Sequence, residues 1–183
     1  MQNRWIKYLA QSCGVVLMVG FLAGLTACHR VPRYVQNPIA ANLPLQQRRL
    51  LAEVEKSGIQ VIKQGMVFTF VIPTDCYFTK DTRLLKRHRE KDLDRLAQFI
   101  HDYMGYFVSP KISITGYSDD VWLYPARNRL SLRYAEIVAN YFQEDGIDEG
   151  IMKVSGKGIE DPVASNHYPM GTSFNRRVEV IVG

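Results

Sequence analysis

The chain places two adjacent carboxylates, Asp119 and Asp120, directly after a strand-like run. An aromatic stretch, Pro125 and an arginine-studded segment containing Arg127, Arg129 and Arg133 follow. Three kinds of chemistry fit such a pattern: acid/base catalysis, a charged clamp for a ligand, or a solvated turn. Catalysis fits least well. Carboxylates adjacent in sequence rarely converge on one scissile bond, and no separate proton donor stands near them. His29, His88, His101 and His167 share no metal-ligand spacing, and no Cys-x-x-Cys occurs. A Gly-x-Ser-x-Gly elbow is absent, and "SGKG" lacks the rest of a phosphate loop. No catalytic residue, metal or cofactor is expected.

The first residues bear on the compartment. Arg4 and Lys7 precede a mostly apolar stretch from Tyr8 to Leu25. It is short for a membrane span, which needs about 20 apolar residues, and suits a secretory signal. It ends in Leu25-Thr26-Ala27-Cys28, which resembles the bacterial lipobox. That resemblance implies a signal peptide over 1–27, cleavage before Cys28 and acyl chains on that residue. Each buried CH₂ of an acyl chain gains about 0.8 kcal/mol, so several chains together hold firmly. Residue 29 is His, not the Asp that favours inner-membrane retention in enteric bacteria. The expectation is an outer-membrane lipid anchor with the domain in the periplasm.

Removing 27 of 183 residues leaves 156, and losing Arg4 and Lys7 lowers the formal charge from +5 to +3. Without a clustered basic face, that excludes nucleic acid as a partner. With Cys13 in the signal and Cys28 lipidated, Cys76 has no intramolecular partner and is expected to be a small buried apolar residue.

Residues 28–44 contain Pro32, Pro38 and Pro44 and no clear period, which predicts an extended tether of about 50 Å. The domain proper is expected over 45–183. "LQQRRLLAEVEKSG" predicts a short helix ending at Gly58. "IQVIKQGMVFTFVI" alternates on both sides of Gln64-Gly65, a hairpin signal. A helix follows over "RLLKRHREKDLDRLAQFIHDYMG", with Leu85, Leu93, Leu96, Ala97, Ile100 and Met104 at helical spacing. Its mixed charges from Lys86 to Asp94 suggest a solvated face. "KISITG" predicts a strand, Pro125 opens a helix running to about Gln143, and "IMKVSGKG" and "RRVEVIV" predict two more strands. The order is β-β-α-β-α-β-β, an α/β (α+β sandwich) arrangement.

From about Gly65 onward the chain resembles the OmpA-like peptidoglycan-binding domain. The motifs are "IPTDCYF", "ITGYSDD" (for Gly-His-Thr-Asp), "LSLRYAEIVANYF" (for Leu-Ser-x-x-Arg-Ala), "GKGIEDP" and "GTSFNRRVEVIV". With the lipobox and the short length, the whole chain resembles an OmpA-like lipoprotein of a type IVB secretion apparatus. The resemblance implies a mixed sheet with two long helices packed on one face. It also implies partners: peptidoglycan stem peptide through its diaminopimelate, the outer membrane through lipid on Cys28, and other secretion-system core proteins.

The family residues carry over by position. Its ammonium-binding aspartate falls on Asp119, whose alternative role is to cap a turn through its own backbone. The family's carboxylate-binding arginine falls on Tyr134, so the expected guanidinium is missing there. Arg133 is one residue early, about 100° around a helix, and Arg127 is seven residues before Tyr134. Both are candidates to supply the charge. Asn175 and Arg176 fall beside the family's groove, with Arg176 either holding a carboxylate or bracing Asp119. Asp75 faces the groove by the same analogy, with a helix-start or turn role as its alternative. Trp122 and Tyr124 are candidate protein-contact anchors, with covering the core edge as the alternative.

Overall fold

The alternating segment forms the expected hairpin. Strands β1 (Gln60–Gln64) and β2 (Val67–Pro73) pair antiparallel with Gln64 opposite Val67. The two-residue connection places Gly65 at φ +62°, the left-handed conformation that a two-residue hairpin loop uses and glycine adopts readily. In this computed structural model, residues 43–80, 83–120 and 126–183 are described, without the side chain of Arg127. The expected signal, Cys28, most of the tether, Trp122 and Tyr124 lie outside the described residues.

Helix α1 (Leu45–Lys56) precedes the hairpin. A single turn, α2 (Thr74–Tyr77), follows β2 directly. Helix α3 spans Glu90–Met104, strand β3 Ile112–Tyr117, and helix α4 Ala126–Glu144. Strand β4 (Met152–Gly158), the short helix α5 (Pro169–Asn175) and strand β5 (Arg177–Val182) complete the chain. The long helix after the hairpin starts later than its sequence pattern suggests. Residues 87–89 form a 3₁₀ turn first, and Arg89 is not free in solvent. Its guanidinium donates to the Ser57 carbonyl at 2.9 Å and lies 5.0 Å from the Tyr77 ring.

The sheet order is β1-β2-β5-β3-β4. The last strand in sequence is therefore inserted between β2 and β3, antiparallel to both. Only β3 and β4 run parallel, and parallel neighbours need a crossover, here α4. One sheet face carries Phe68, Phe70 and Ile72 of β2, Ile112 and Ile114 of β3, and Val178, Val180 and Val182 of β5, all buried. Register aligns them in rows, Phe68–Val182–Ile112 and Phe70–Val180–Ile114. Phe99 and Tyr103 of α3 meet this face edge-on, with ring centroids 5.3 and 4.8 Å from Phe68. α4 crosses β3 and β4, and α1 packs on α3 rather than standing apart.

Two glycines decide how closely α4 approaches. Gly116 and Gly156 are opposite each other on β3 and β4. A Cβ on Gly116 would lie 1.9 Å from the Ser131 carbonyl oxygen, and one on Gly156 2.4 Å from the Leu132 nitrogen. The helix backbone thus rests directly on the strands. Ser131 secures the contact: its hydroxyl accepts from the Gly158 amide at 3.0 Å and donates to the Asn128 carbonyl at 2.9 Å.

Candidate functional site: a carboxylate–guanidinium network at the strand ends

Three segments meet where β2 and β3 end and β5 begins. Register puts Pro73 opposite Arg177, so the turn after β2 abuts the residue before β5. The Thr74 amide and hydroxyl both donate to the Arg176 carbonyl, at 3.0 and 3.1 Å. That fixes the Arg176 backbone one residue from Asp75. From the third segment, the Ser118 amide donates to the Gly158 carbonyl at 2.6 Å, which sets the position of Asp119.

Arg176 joins the other two. Its Nε donates to Asp75 Oδ1 at 2.8 Å and its Nη2 to Asp75 Oδ2, a bidentate pair. Its Nη1 donates to Asp119 Oδ2. Arginine suits this position because its planar fork can serve two carboxylates at once. The paired Asp75 carboxylate holds the guanidinium further into its charged form; burial opposes this and Asp119 reinforces it. Exposure separates the two acids. The Asp119 side chain is 2% exposed and that of Asp75 38%. Asp75 therefore presents the carboxylate that a ligand can reach, and Asp119 forms the floor. Asp120 is exposed, so the two adjacent acids occupy different environments and do not form a pair.

The remaining candidates separate clearly. Asn175 is 1% exposed, and its amide is consumed by the preceding loop. It accepts from the Val163 and Ala164 amides and donates to the Ala164 carbonyl and to Asn166 Oδ1. The Asn175 side chain thus shapes the loop beside the network. Arg133 is exposed on α4, outside the network. The side chain of Arg127 lies outside the described residues. Tyr134 is half-buried with its ring centroid 4.6 Å from that of Phe78. Burial pushes its phenol up; the nearby charges of Arg83, Asp75, Arg176 and Asp119 also act on it. Cys76 is exposed rather than buried, because the turn of α2 directs Tyr77 inward in its place.

Sequence reasoning missed Lys86 and the burial of Ser118. The Ser118 hydroxyl is buried beside Asp119 with no hydrogen-bond partner. Lys86 Nζ donates to the carbonyls of Asp75 and Cys76, at 2.9 and 3.1 Å, and so ties down the turn that carries Asp75. Ser118 lies inside the "ITGYSDD" motif, but no local motif marks Lys86, which sits in a stretch whose charges look like a helix surface. Tyr117, at the motif's histidine position, lies under the Arg177 guanidinium, 3.9 Å from its ring centroid. Among the described cavities, one of about 370 Å³ is lined by Pro73, Phe174, Arg176 and Arg177 among others. Another of about 500 Å³ is at the opposite end of β3, lined by Lys111, Ile112, Met152 and Ile181 among others.

A five-stranded mixed sheet with helices on one face, carrying an Asp–Arg–Asp network at its strand ends, defines the class. Residues 77–176 match the model of the OmpA family, and the chain belongs to that family. Among curated proteins it is 26% identical over 140 residues to "Probable lipoprotein YiaD" of Escherichia coli, covering 75% of this chain and 61% of that one. It is 39% identical over 72 residues to "Outer-membrane lipoprotein YfiB" of Pseudomonas aeruginosa, covering 39% of this chain and 43% of the relative. The chain thus spans less than two thirds of these relatives' length. Among solved structures, the cell wall anchor of the T6SS from Pseudomonas aeruginosa superposes with a TM-score of 0.63 at 27% identity. That match covers 73% of this chain and 94% of the anchor.

Proposed function

We propose that this protein is an outer-membrane lipoprotein, anchored through Cys28, whose domain grips peptidoglycan non-covalently and fixes a secretion complex in the envelope. The observation that carries the reading is the charge balance at the strand ends. Two carboxylates share one guanidinium, so the three groups carry a formal charge of −1 and one acid remains accessible. Such a mouth attracts an ammonium, and the diaminopimelate of a stem peptide ends in an ammonium and a carboxylate. An Asp carboxylate has about four lone-pair sites, so Asp75 can accept from a ligand while still paired with Arg176.

The similarity to a cell wall anchor of a secretion machine supports the anchoring role, and the lipoprotein relatives support the location. The finer identity, a subunit of a type IVB secretion apparatus, rests on the lipobox and the motif set. Catalysis has no part in this reading.

Purified sacculi incubated with full-length detergent-solubilised protein test it. The wild type should co-sediment. Asp75→Asn, which keeps shape and removes charge, should weaken binding about tenfold or more, since hydrogen bonds to charged groups contribute about 1.5–3 kcal/mol. Asp119→Ala should abolish it. A second reading, a scaffold subunit with a non-binding groove, draws on Tyr134, which packs on Phe78 where the family motif has arginine. Wild-type protein that fails to co-sediment above background would establish that second reading.

A further inference from the structure

The pole of the domain opposite the network is built from segments that expose large apolar side chains. β2 and β3 begin there, at Val67 and Ile112, and run about 20 Å to the network. α3 ends at the same pole, where the Tyr103 hydroxyl donates to the Met66 carbonyl of the hairpin connection at 2.9 Å. The Lys111 and Gly183 backbones exchange hydrogen bonds at 2.9 and 3.2 Å, which pins the segment between α3 and β3. α1 starts there too. Its C-terminal end meets the beginning of α3, where Arg89 bonds to the Ser57 carbonyl, and one turn earlier Glu53 feels the charge of Arg95. The two helices therefore run antiparallel, and Leu45 lies toward the end of α3. The chain from Cys28 thus enters the domain at this pole.

Leu45, Met66 and Tyr106 are each more than half exposed, Val108 entirely and Val67 by more than a third. Tyr103 links two of these, bonding to Met66 and holding the Tyr106 ring 5.6 Å from its own. Apolar side chains gathered at one pole mark an interaction surface, unlike ones scattered singly. Arg48, Arg49, Lys111 and Lys153 are exposed at the same end. A recess of about 500 Å³ opens there, its lining including Val67, Lys111, Lys153 and Ile181. Of the acids at this end, Asp102 accepts from the Gln98 amide and Asp148 from the Gly150 backbone, and Glu149 is exposed. Apolar tips with cations beside them suit a phospholipid surface: the tips enter the headgroup boundary and the cations meet lipid phosphates.

We propose that this pole docks on the phospholipid leaflet that holds the anchor and so points the Asp75 mouth away from it, toward the wall. The proposal rests on the lipoprotein reading above and adds a surface through which the domain itself, and not only its acyl chains, meets the membrane. A weak contact suffices, because attachment at Cys28 keeps the leaflet at high effective concentration.

The test uses the whole protein, produced with its lipid anchor and reconstituted into vesicles of phosphatidylethanolamine and phosphatidylglycerol that carry a shallow nitroxide-labelled lipid. A fluorophore is attached at Val108→Cys in a Cys76→Ser background and, in a second sample, at the native Cys76, which is exposed beside the network. With about 20 Å of strand between the poles, docking should quench the first label and spare the second. Met66→Ser with Tyr106→Ser should abolish the quenching at position 108. Lys111→Glu with Lys153→Glu should weaken it in these vesicles more than in phosphatidylcholine. All four side chains are exposed, so the melting temperature should hold in both variants. Equal quenching at the two positions, the pattern of a domain free on its tether, overturns the proposal. So does a Val108→Cys label shielded from an aqueous quencher but untouched by the lipid quencher, the pattern of a protein partner or a second copy. Protein that floats with the vesicles without quenching at position 108 removes the proposal and leaves the lipoprotein reading standing, and protein that does not float removes both.

Discussion

Replacing Arg176 with Met tests whether the network is a brace as well as a recognition surface. The substitution keeps most of the aliphatic length and deletes the guanidinium. Asp119 then keeps its position, 2% exposed, without the cation that holds it, and Asp75 loses a bidentate partner. Removing one member of a buried ion pair costs about 3–5 kcal/mol, because the other charge stays desolvated. Arg176 itself is 27% exposed, so some water reaches the gap, and the lower end, about 3 kcal/mol, applies. Asp75 adds little, being open to solvent. For a domain of this size that corresponds to a drop of roughly 10 °C in melting temperature. Chemical denaturation at pH 7 and calorimetry measure both quantities. Asp119→Asn in the same background removes the stranded charge and should recover more than half of the loss. An Arg176→Met protein within about 0.5 kcal/mol of wild type, the range of neutral surface changes, would refute the reasoning. So would a double variant no more stable than the single one.

Other perturbations probe the supporting structure. Gly116→Ala places a methyl 1.9 Å from the Ser131 carbonyl oxygen; α4 must lift, and denaturation should register a loss of at least the roughly 1–3 kcal/mol typical of overpacking. Asn175→Ala strands the amides of Val163 and Ala164, at about 1–3 kcal/mol, and hydrogen exchange should accelerate in residues 160–168 while β5 stays protected. The Tyr77 phenol is fully buried, and desolvation pushes it up to about 12 from 10.0. Between those values the folded state keeps a proton that the unfolded state has released. Stability should be intact below pH 10 and fall by roughly 2–3 kcal/mol as pH rises through 12. Tyr77→Phe should flatten that fall, and a difference spectrum during alkaline titration reads it directly.

Much of the fold was legible because it is written in short-range patterns. Alternation in residues 60–73 and 177–182 gives strands that bury one side. The spacing of Leu93, Leu96, Ala97 and Ile100 gives the buried face of α3. The start of that helix was not legible. Arg87, His88 and Arg89 are as compatible with a helix as with the 3₁₀ turn they form, and the choice follows from the Arg89 contacts to Ser57 and Tyr77. Cys76 was misread for a related reason: a single turn of helix rotates its neighbour Tyr77 into the core instead.

The motifs around Asp119 and Arg176 identified the family and marked where charge gathers, since each is a run of consecutive residues. Which charges meet is a different matter. Arg176 lies 101 residues from Asp75 and 57 from Asp119, and nothing local couples those distances. They close because β5 inserts between β2 and β3, bringing three strand ends to one point. That insertion buries one acid, leaves the other accessible and occupies the guanidinium between them. Residue order specifies the strands and helices through local periodicity. The charge geometry of the site exists only after long-range pairing has chosen which side chains share a boundary with water.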